Sequence, residues 1–150
     1  MKNRGQVILE FIFIILIVVI YIFTVTKPFI DNSQNTITDI EALTRTNNET
    51  EKLVDSINKL YLLGNGSRET LDLFVPIQGK IICNDVDNNI GFTVDLTNSI
   101  NQEHSLCPNN VCTKSFELND DIDLDCLMPE VNNRATVVVS KENNIIIVGG

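Results

Sequence analysis

The sequence predicts an α+β chain: a long N-terminal hydrophobic helix, a helical stalk, and a small antiparallel β-sheet head. Three observations carry this. From Val7 to Thr26 the residues are almost all apolar, and Glu10 is the only side chain there expected to be charged at neutral pH. Beyond that run, apolar residues recur at helical intervals to about Leu62. From Thr70 onward the period changes to two, the signature of half-buried strands.

The first element is long enough to cross a bilayer, since 20 helical residues rise about 30 Å. Lys2 and Arg4 precede it and Lys27 follows it, so the positive-inside bias places the N-terminus in the cytoplasm and the remainder outside. A secretory signal peptide would end its apolar centre at an A-x-A-like site. YIFTVTKPF is bulky throughout, and the small residue near either border is Gly5, on the cytoplasmic side. Pro28 lacks an amide hydrogen and crowds the preceding turn, which predicts a kink or stop near residues 24 to 27.

The stalk carries Ile30, Ile37, Ile40, Leu43, Leu53, Ile57 and Leu60 as one narrow apolar stripe. Asp39, Glu41, Arg45, Glu49, Glu51, Lys52 and Asp55 are expected on the solvated faces. Gly64-Asn65-Gly66-Ser67 ends the helix, because these residues favour turns and positive φ.

In the head, Leu71, Leu73 and Val75 alternate with Asp72 and Phe74; Pro76 to Gly79 reads as a turn and Lys80 to Cys83 as the return strand. Gly91 to Leu96 reads as another strand. Ser115–Leu118 and Ile122–Cys126 are expected to pair across Asn119-Asp120-Asp121, with Phe116, Leu118, Ile122 and Leu124 on one face. Thr136–Val139 and Asn144–Val148 form a hairpin, with Lys141–Asn143 as its loop. About six short strands make a head small enough to want covalent staples.

Cys83, Cys107, Cys112 and Cys126 are even in number and lie in the part predicted to be outside, where thiols oxidise. Three pairings are open. Cys107 with Cys112, closing a Pro-Asn-Asn turn, and Cys83 with Cys126 is preferred, while Cys112 with Cys126 across a hairpin is the competing arrangement. Zinc is the alternative to disulfides: Cys107 and Cys112 have tolerable spacing, but the other two cysteines stand apart and His104 is the single histidine.

Chemistry-bearing motifs are sparse. Asp85-Val-Asp87-Asn88-Asn89 begins like a calcium loop, yet the glycine falls one place late at Gly91 and the twelfth position is Leu96, so a polar turn is expected. Asp121, Asp123 and Asp125 alternate with apolar residues, as a strand with one wet face does. His104 has no triad partner recognisable from sequence, and no phosphate loop or zincin pair occurs. The expectation is therefore a non-enzyme with no catalytic residue, metal or cofactor. Asn48-Glu49-Thr50 and Asn65-Gly66-Ser67 match the N-glycosylation sequon. A net charge of −9 disfavours nucleic acid as a partner, since phosphate contact needs a basic patch.

Arg4-Gly5-Gln6, then Glu10 as the fifth residue counted from Gln6, then the apolar helix, resemble the class III signal peptide of archaeal type IV pilin-like proteins. Ile8 stands where that family often has a small hydroxyl residue. The resemblance covers about the first 25 residues and implies cleavage by a prepilin peptidase between Gly5 and Gln6. Residues 1–5 would then be a leader, 6–62 the hydrophobic helix and stalk, and 63–150 the extracellular head. Loss of Lys2 and Arg4 would take the net charge from −9 to −11.

The family implies a cell-surface adhesive filament, a helical homo-oligomer whose N-terminal helices leave the membrane to form the core. It also implies an assembly ATPase and membrane platform as partners. In that setting Glu10 sets the register between helices: its carboxylate would meet the new α-amine of Gln6, and unit charges 4 Å apart attract by about 4 kcal/mol at an effective dielectric near 20. An N-terminal glutamine can cyclise to pyroglutamate, which would leave a hydrogen bond instead. A minor pilin or pseudopilin is equally compatible. The rival reading is a single-pass membrane-anchored extracellular binding protein, in which Glu10 merely snorkels to the headgroups.

Overall fold

The computed structural model describes residues 3–97, 107–119 and 121–150. His104 and Asp120 lie outside the described residues. One helix, α1, is assigned to Asn3–Leu62, and the chain divides into two units, Met1–Ile37 and Thr38–Gly150.

In the first unit Pro28 lies inside the helix, so of the expected kink or stop near residues 24 to 27 the stop does not occur. Proline removes a single ladder bond, whereas ending the helix would leave four carbonyls without donors. Hydroxyls flank the lesion. Thr24 Oγ1 donates to Ile20 O and Tyr21 O at 2.9 and 3.0 Å, and Ser33 Oγ donates to Phe29 O at 2.9 Å.

In the second unit residues 38–62 of α1 accompany, among the described residues, eight short strands: β1 (Arg68–Phe74), β2 (Gly79–Asn84), β3 (Asn89–Asp95), β4 (Val111–Glu117), β5 (Asp123–Cys126), β6 (Glu130–Val131), β7 (Arg134–Glu142) and β8 (Ile145–Gly149). They form two four-stranded sheets, ordered β1-β7-β8-β5 and β4-β3-β2-β6. Among the described residues the strand pairs are antiparallel, as expected of the head, except β5 with β8, which is parallel.

Two expected hairpins are absent. The Pro76–Gly79 turn exists, closed by Gly79 N–H to Pro76 O at 2.8 Å. Yet β1 and β2 enter different sheets, because β1 finds a seven-residue ladder on β7, with Leu71 against Val137 and Leu73 against Ala135. Likewise β4 pairs with β3 while β5 runs beside β8. Leu118, Ile122 and Leu124 do enter the core, with Phe116 partly buried against it, but they reach it from segments of two different sheets and not from one hairpin face.

The β7–β8 connection is the expected hairpin with a tighter loop. Asn143 and Asn144 have φ of 51° and 70°, as a two-residue type I′ turn requires, and Lys141 belongs to β7 instead of the loop. Asn88, Asn109, Asn110 and Asn133 also adopt positive φ. Asparagine tolerates this region better than other side chains, which gives the chain's asparagine richness a structural use.

Leu53, Ile57 and Leu60 of α1 pack with Leu73, Val137, Val139, Ile146 and Val148 from one sheet and Ile81 and Ile90 from the other. A second cluster joins Ala42 to Phe92 and Val94. The helix face in between is polar. Asp39, Thr46, Glu49, Thr50 and Ser56 are buried, although Asp39 and Glu49 were expected on the solvated faces, and Ile30, Ile37 and Ile40 are exposed, which corrects the expected stripe. Small side chains let helix and sheet approach closely: a Cβ on Gly79 would collide with Thr46 Oγ1 and lie 3.2 Å from Val75 Cγ1. The two threonines are bonded within the helix and Asp39 across to the chain after β3. Thr46 and Thr50 hydroxyls donate to Ala42 O and Thr46 O, both at 2.8 Å, and Asp39 Oδ1 accepts from Thr97 N–H at 3.0 Å.

Candidate functional site

From Ile8 to Val25, the large apolar side chains of the helix are 44 to 69 % exposed. Water does not tolerate such a surface: at about 1.5–3 kcal/mol per fully buried aliphatic or aromatic side chain, covering these residues is worth on the order of 20 kcal/mol. The segment is β-branched-rich and a poor helix former in water. In an apolar medium, however, a helix satisfies every interior backbone group itself. Its length and composition suffice to cross a membrane. Glu10 is exposed on this helix, and Gly5 and Gln6 belong to its first turns.

The end of the stalk is built by long-range contacts. Lys141 is buried, and its Nζ donates to Tyr61 O at 2.6 Å and Leu63 O at 3.0 Å while lying 5.0 Å from the Tyr61 ring centroid. The last carbonyls of a helix lack intrahelical donors and carry partial negative charge, so an ammonium is suited to that position. On the adjoining face Glu69 of β1 accepts from Lys59 Nζ and Ser56 Oγ, both at 2.9 Å. The Lys59 and Ser56 hydrogen bonds hold the Glu69 carboxyl below its ordinary value of 4.5. Elsewhere on the helix, Glu49 Oε1 accepts from Lys52 at 2.7 Å, and its Oε2 is buried without a partner among the described residues.

Disulfides join Cys83 to Cys126 and Cys107 to Cys112. The first ties β2 of one sheet to β5 of the other; the second closes the Pro108–Asn110 turn, where Asn109 and Asn110 are at φ 56° and 65°. No group of three or more His, Cys, Asp or Glu residues suited to a metal occurs among the described residues. Asp85 and Asp87 sit in the β2–β3 turn, where Asn84 Oδ1 accepts from Val86 and Asp87 N–H at 3.0 and 3.2 Å. A groove of about 320 Å³ between Leu43, Asn47, Phe92 and the Cys107–Cys112 bridge is lined mainly by apolar groups.

The two sequons occupy different settings. Asn48 is exposed, but it lies within the helix and Thr50 is fully buried. Asn65 is exposed in the loop between α1 and β1.

The sequence did not disclose Lys141 as a helix cap, nor the buried Asp39 and Thr46. A sign was available for the second: Asp39, Ala42, Thr46, Thr50, Leu53, Ile57 and Leu60 keep helical spacing once small and polar residues are admitted to the stripe. Lys141 offered no such sign, because its partner is about eighty residues away in sequence.

One long apolar N-terminal helix followed by small antiparallel and mixed sheets is an α+β layout consistent with a pilin-like fold. No protein-family model, curated protein or solved structure matches the chain.

Proposed function

We propose that the chain is a structural subunit of an extracellular type IV pilus-like filament, held in the membrane by its N-terminal helix before assembly. The observation that carries this is the uncovered apolar surface of Ile8–Val25. Lipid covers such a surface in the free subunit, and identical helices cover it in a filament. The Arg4-Gly5-Gln6 and Glu10 pattern supports the second of these fates. A carboxylate near the end of an apolar helix is tolerated at the interface, but buried among helices it needs a cation, and leaving it unpaired there costs about 3 to 5 kcal/mol. The head, stapled by two disulfides, would form the outer layer, and its acidity would keep assembled material dispersed. Adhesion to surfaces or cells, export by an ATPase and platform, and cytoplasmic placement of residues 1–5 before cleavage belong to the same proposal.

A permanently anchored single-pass binding protein shares the membrane helix, and that helix alone favours it equally. N-terminal mass spectrometry of material sheared from cells separates the two. A chain starting at Gln6, free or cyclised, supports the filament; an intact Met1 or Lys2 start confined to membranes supports the anchor. Glu10→Gln is expected to abolish filaments while cleavage and head folding persist. Normal filaments from that variant would remove the register role.

A further inference from the structure

Asn48 and Asn65 both begin an N-x-[ST] triplet, and the fold treats them oppositely. An enzyme that glycosylates asparagine must take the triplet in an extended or turned form, reach the amide nitrogen, and read the hydroxyl two residues on. At Asn48 neither the backbone nor the hydroxyl is available. The triplet is helical, Glu49 and Thr50 are buried, and Thr50 Oγ1 donates to Thr46 O at 2.8 Å. Presenting it would require unwinding α1 at the point where the helix meets the sheet, beside the Thr46 and Gly79 contact.

The Asn65 triplet has the opposite properties. It follows the helix end, lies in a turn with Gly66 at φ 87°, and carries Asn65 exposed. Asn65 Oδ1 accepts from Asn144 N–H at 3.3 Å, so the amide is oriented through its oxygen. Its Nδ2 has no hydrogen-bond partner among the described residues. Ser67 Oγ donates to Gly64 O at 2.7 Å within the same loop, and the triplet's backbone is held to Lys141 of β7 by Gly66 N–H to Lys141 O at 2.8 Å and Lys141 N–H to Ser67 O at 2.9 Å, so presenting it detaches a loop from one strand position and unwinds no helix. Ser67 is only half-buried.

We infer that Asn65 is a glycan acceptor in the folded protein and that Asn48 is silent. In the reaction Asn65 Nδ2 attacks the anomeric carbon of a lipid-diphosphate-linked oligosaccharide. The C–N bond forms as the bond from that carbon to the diphosphate oxygen breaks; the lipid diphosphate leaves with the electron pair, and the amide nitrogen releases one proton to solvent. The amide oxygen keeps its lone pairs, so the hydrogen bond from Asn144 survives. The glycan would then project from the junction of the α1–β1 loop and the β7–β8 turn. The inference shares with the filament proposal only the placement of the head outside the membrane.

The test uses the oxidised full chain in detergent, a purified oligosaccharyltransferase of N-x-[ST] specificity, and its lipid-linked oligosaccharide, with glycopeptides read by mass spectrometry. Occupancy in the folded chain is expected to be at least about tenfold higher at Asn65 than at Asn48, because loop openings are far more frequent than openings of a packed helix. Reduced, urea-unfolded and diluted chain should lose that preference. Ser67→Thr should keep the modification, and Ser67→Ala and Asn65→Gln should abolish it at this site, with the circular dichroism of all three unchanged. Comparable occupancy at Asn48 in the folded chain would overturn the inference. So would failure to modify Asn65 when folded although the unfolded chain accepts glycan there. Neither outcome depends on filament formation or on the Gly5-Gln6 cut, so the filament proposal stands or falls separately.

Discussion

Replacing Lys141 by methionine isolates the cap on the stalk. Methionine has nearly the same length and volume, so packing around the aliphatic stem is kept and only the ammonium is lost. What disappears are two hydrogen bonds from a charged donor, to Tyr61 O and Leu63 O, each worth about 1.5–3 kcal/mol in the general case. Two effects reduce the sum. Leu63 is 45 % exposed, so water takes over part of its carbonyl, and the variant no longer holds a charge away from solvent. A net loss of about 2 kcal/mol is expected, which for a unit of this size lowers the melting temperature by roughly 6–10 °C. The assay is urea unfolding of the oxidised full chain in detergent, followed by β-sheet circular dichroism, with Lys59→Met as an exposed comparison expected to change stability by less than about 1 kcal/mol. If Lys141→Met unfolds within about 0.5 kcal/mol of the parent, the ammonium is not what secures the helix end.

Gly79→Ala should destabilise by about 1–3 kcal/mol through the collision with Thr46, and Thr46→Ala in the same chain should recover a measurable part of it in a double-mutant cycle. The Glu69 carboxyl is depressed by hydrogen bonds from Lys59 and Ser56. Its contribution is therefore complete above the ordinary glutamate value and lost as pH falls through the lower folded value, so the urea midpoints of the parent and Glu69→Gln should converge on acidification. Parallel titration curves would contradict this. Removing Cys83–Cys126, a bridge with sequence separation 43, should cost about 4 kcal/mol, against about 2 kcal/mol for Cys107–Cys112 at separation 5. Paired serine variants compared by urea midpoint test that ranking, and the reverse order would refute it.

Signals contained within a few residues were legible in the sequence. The apolar run, the period change near Thr70, the Gly64–Ser67 stop and the β7–β8 hairpin each depend on neighbours, and the structure has all four. Strand partners depend on the whole chain. Local turn chemistry at Pro76–Gly79 pointed to a β1–β2 hairpin, yet β1 lies against β7, some sixty residues away. Expecting charged residues on solvated faces failed at Asp39 and Glu49, where a backbone donor from Thr97 and the Lys52 ammonium supply partners, and Lys141, expected in the hairpin loop, is buried on two carbonyls at the helix end. Of the candidate site, the apolar helix could be read directly, whereas the contrast between Asn48 and Asn65 required knowing where Thr50 points.

The strand order β1-β7-β8-β5 bears on how the head is made. In a chain synthesised from its N-terminus, β1 emerges long before β7 and β8 and β5 just before them, and neither has a hydrogen-bonding partner in its own sheet until Arg134–Glu142 and Ile145–Gly149 arrive to fill the space between them. That sheet forms late and from non-local contacts, the slow class of folding. Until then its unfilled edges are open to strands of other copies of the chain, and crowding in that interval favours entanglement over maturation.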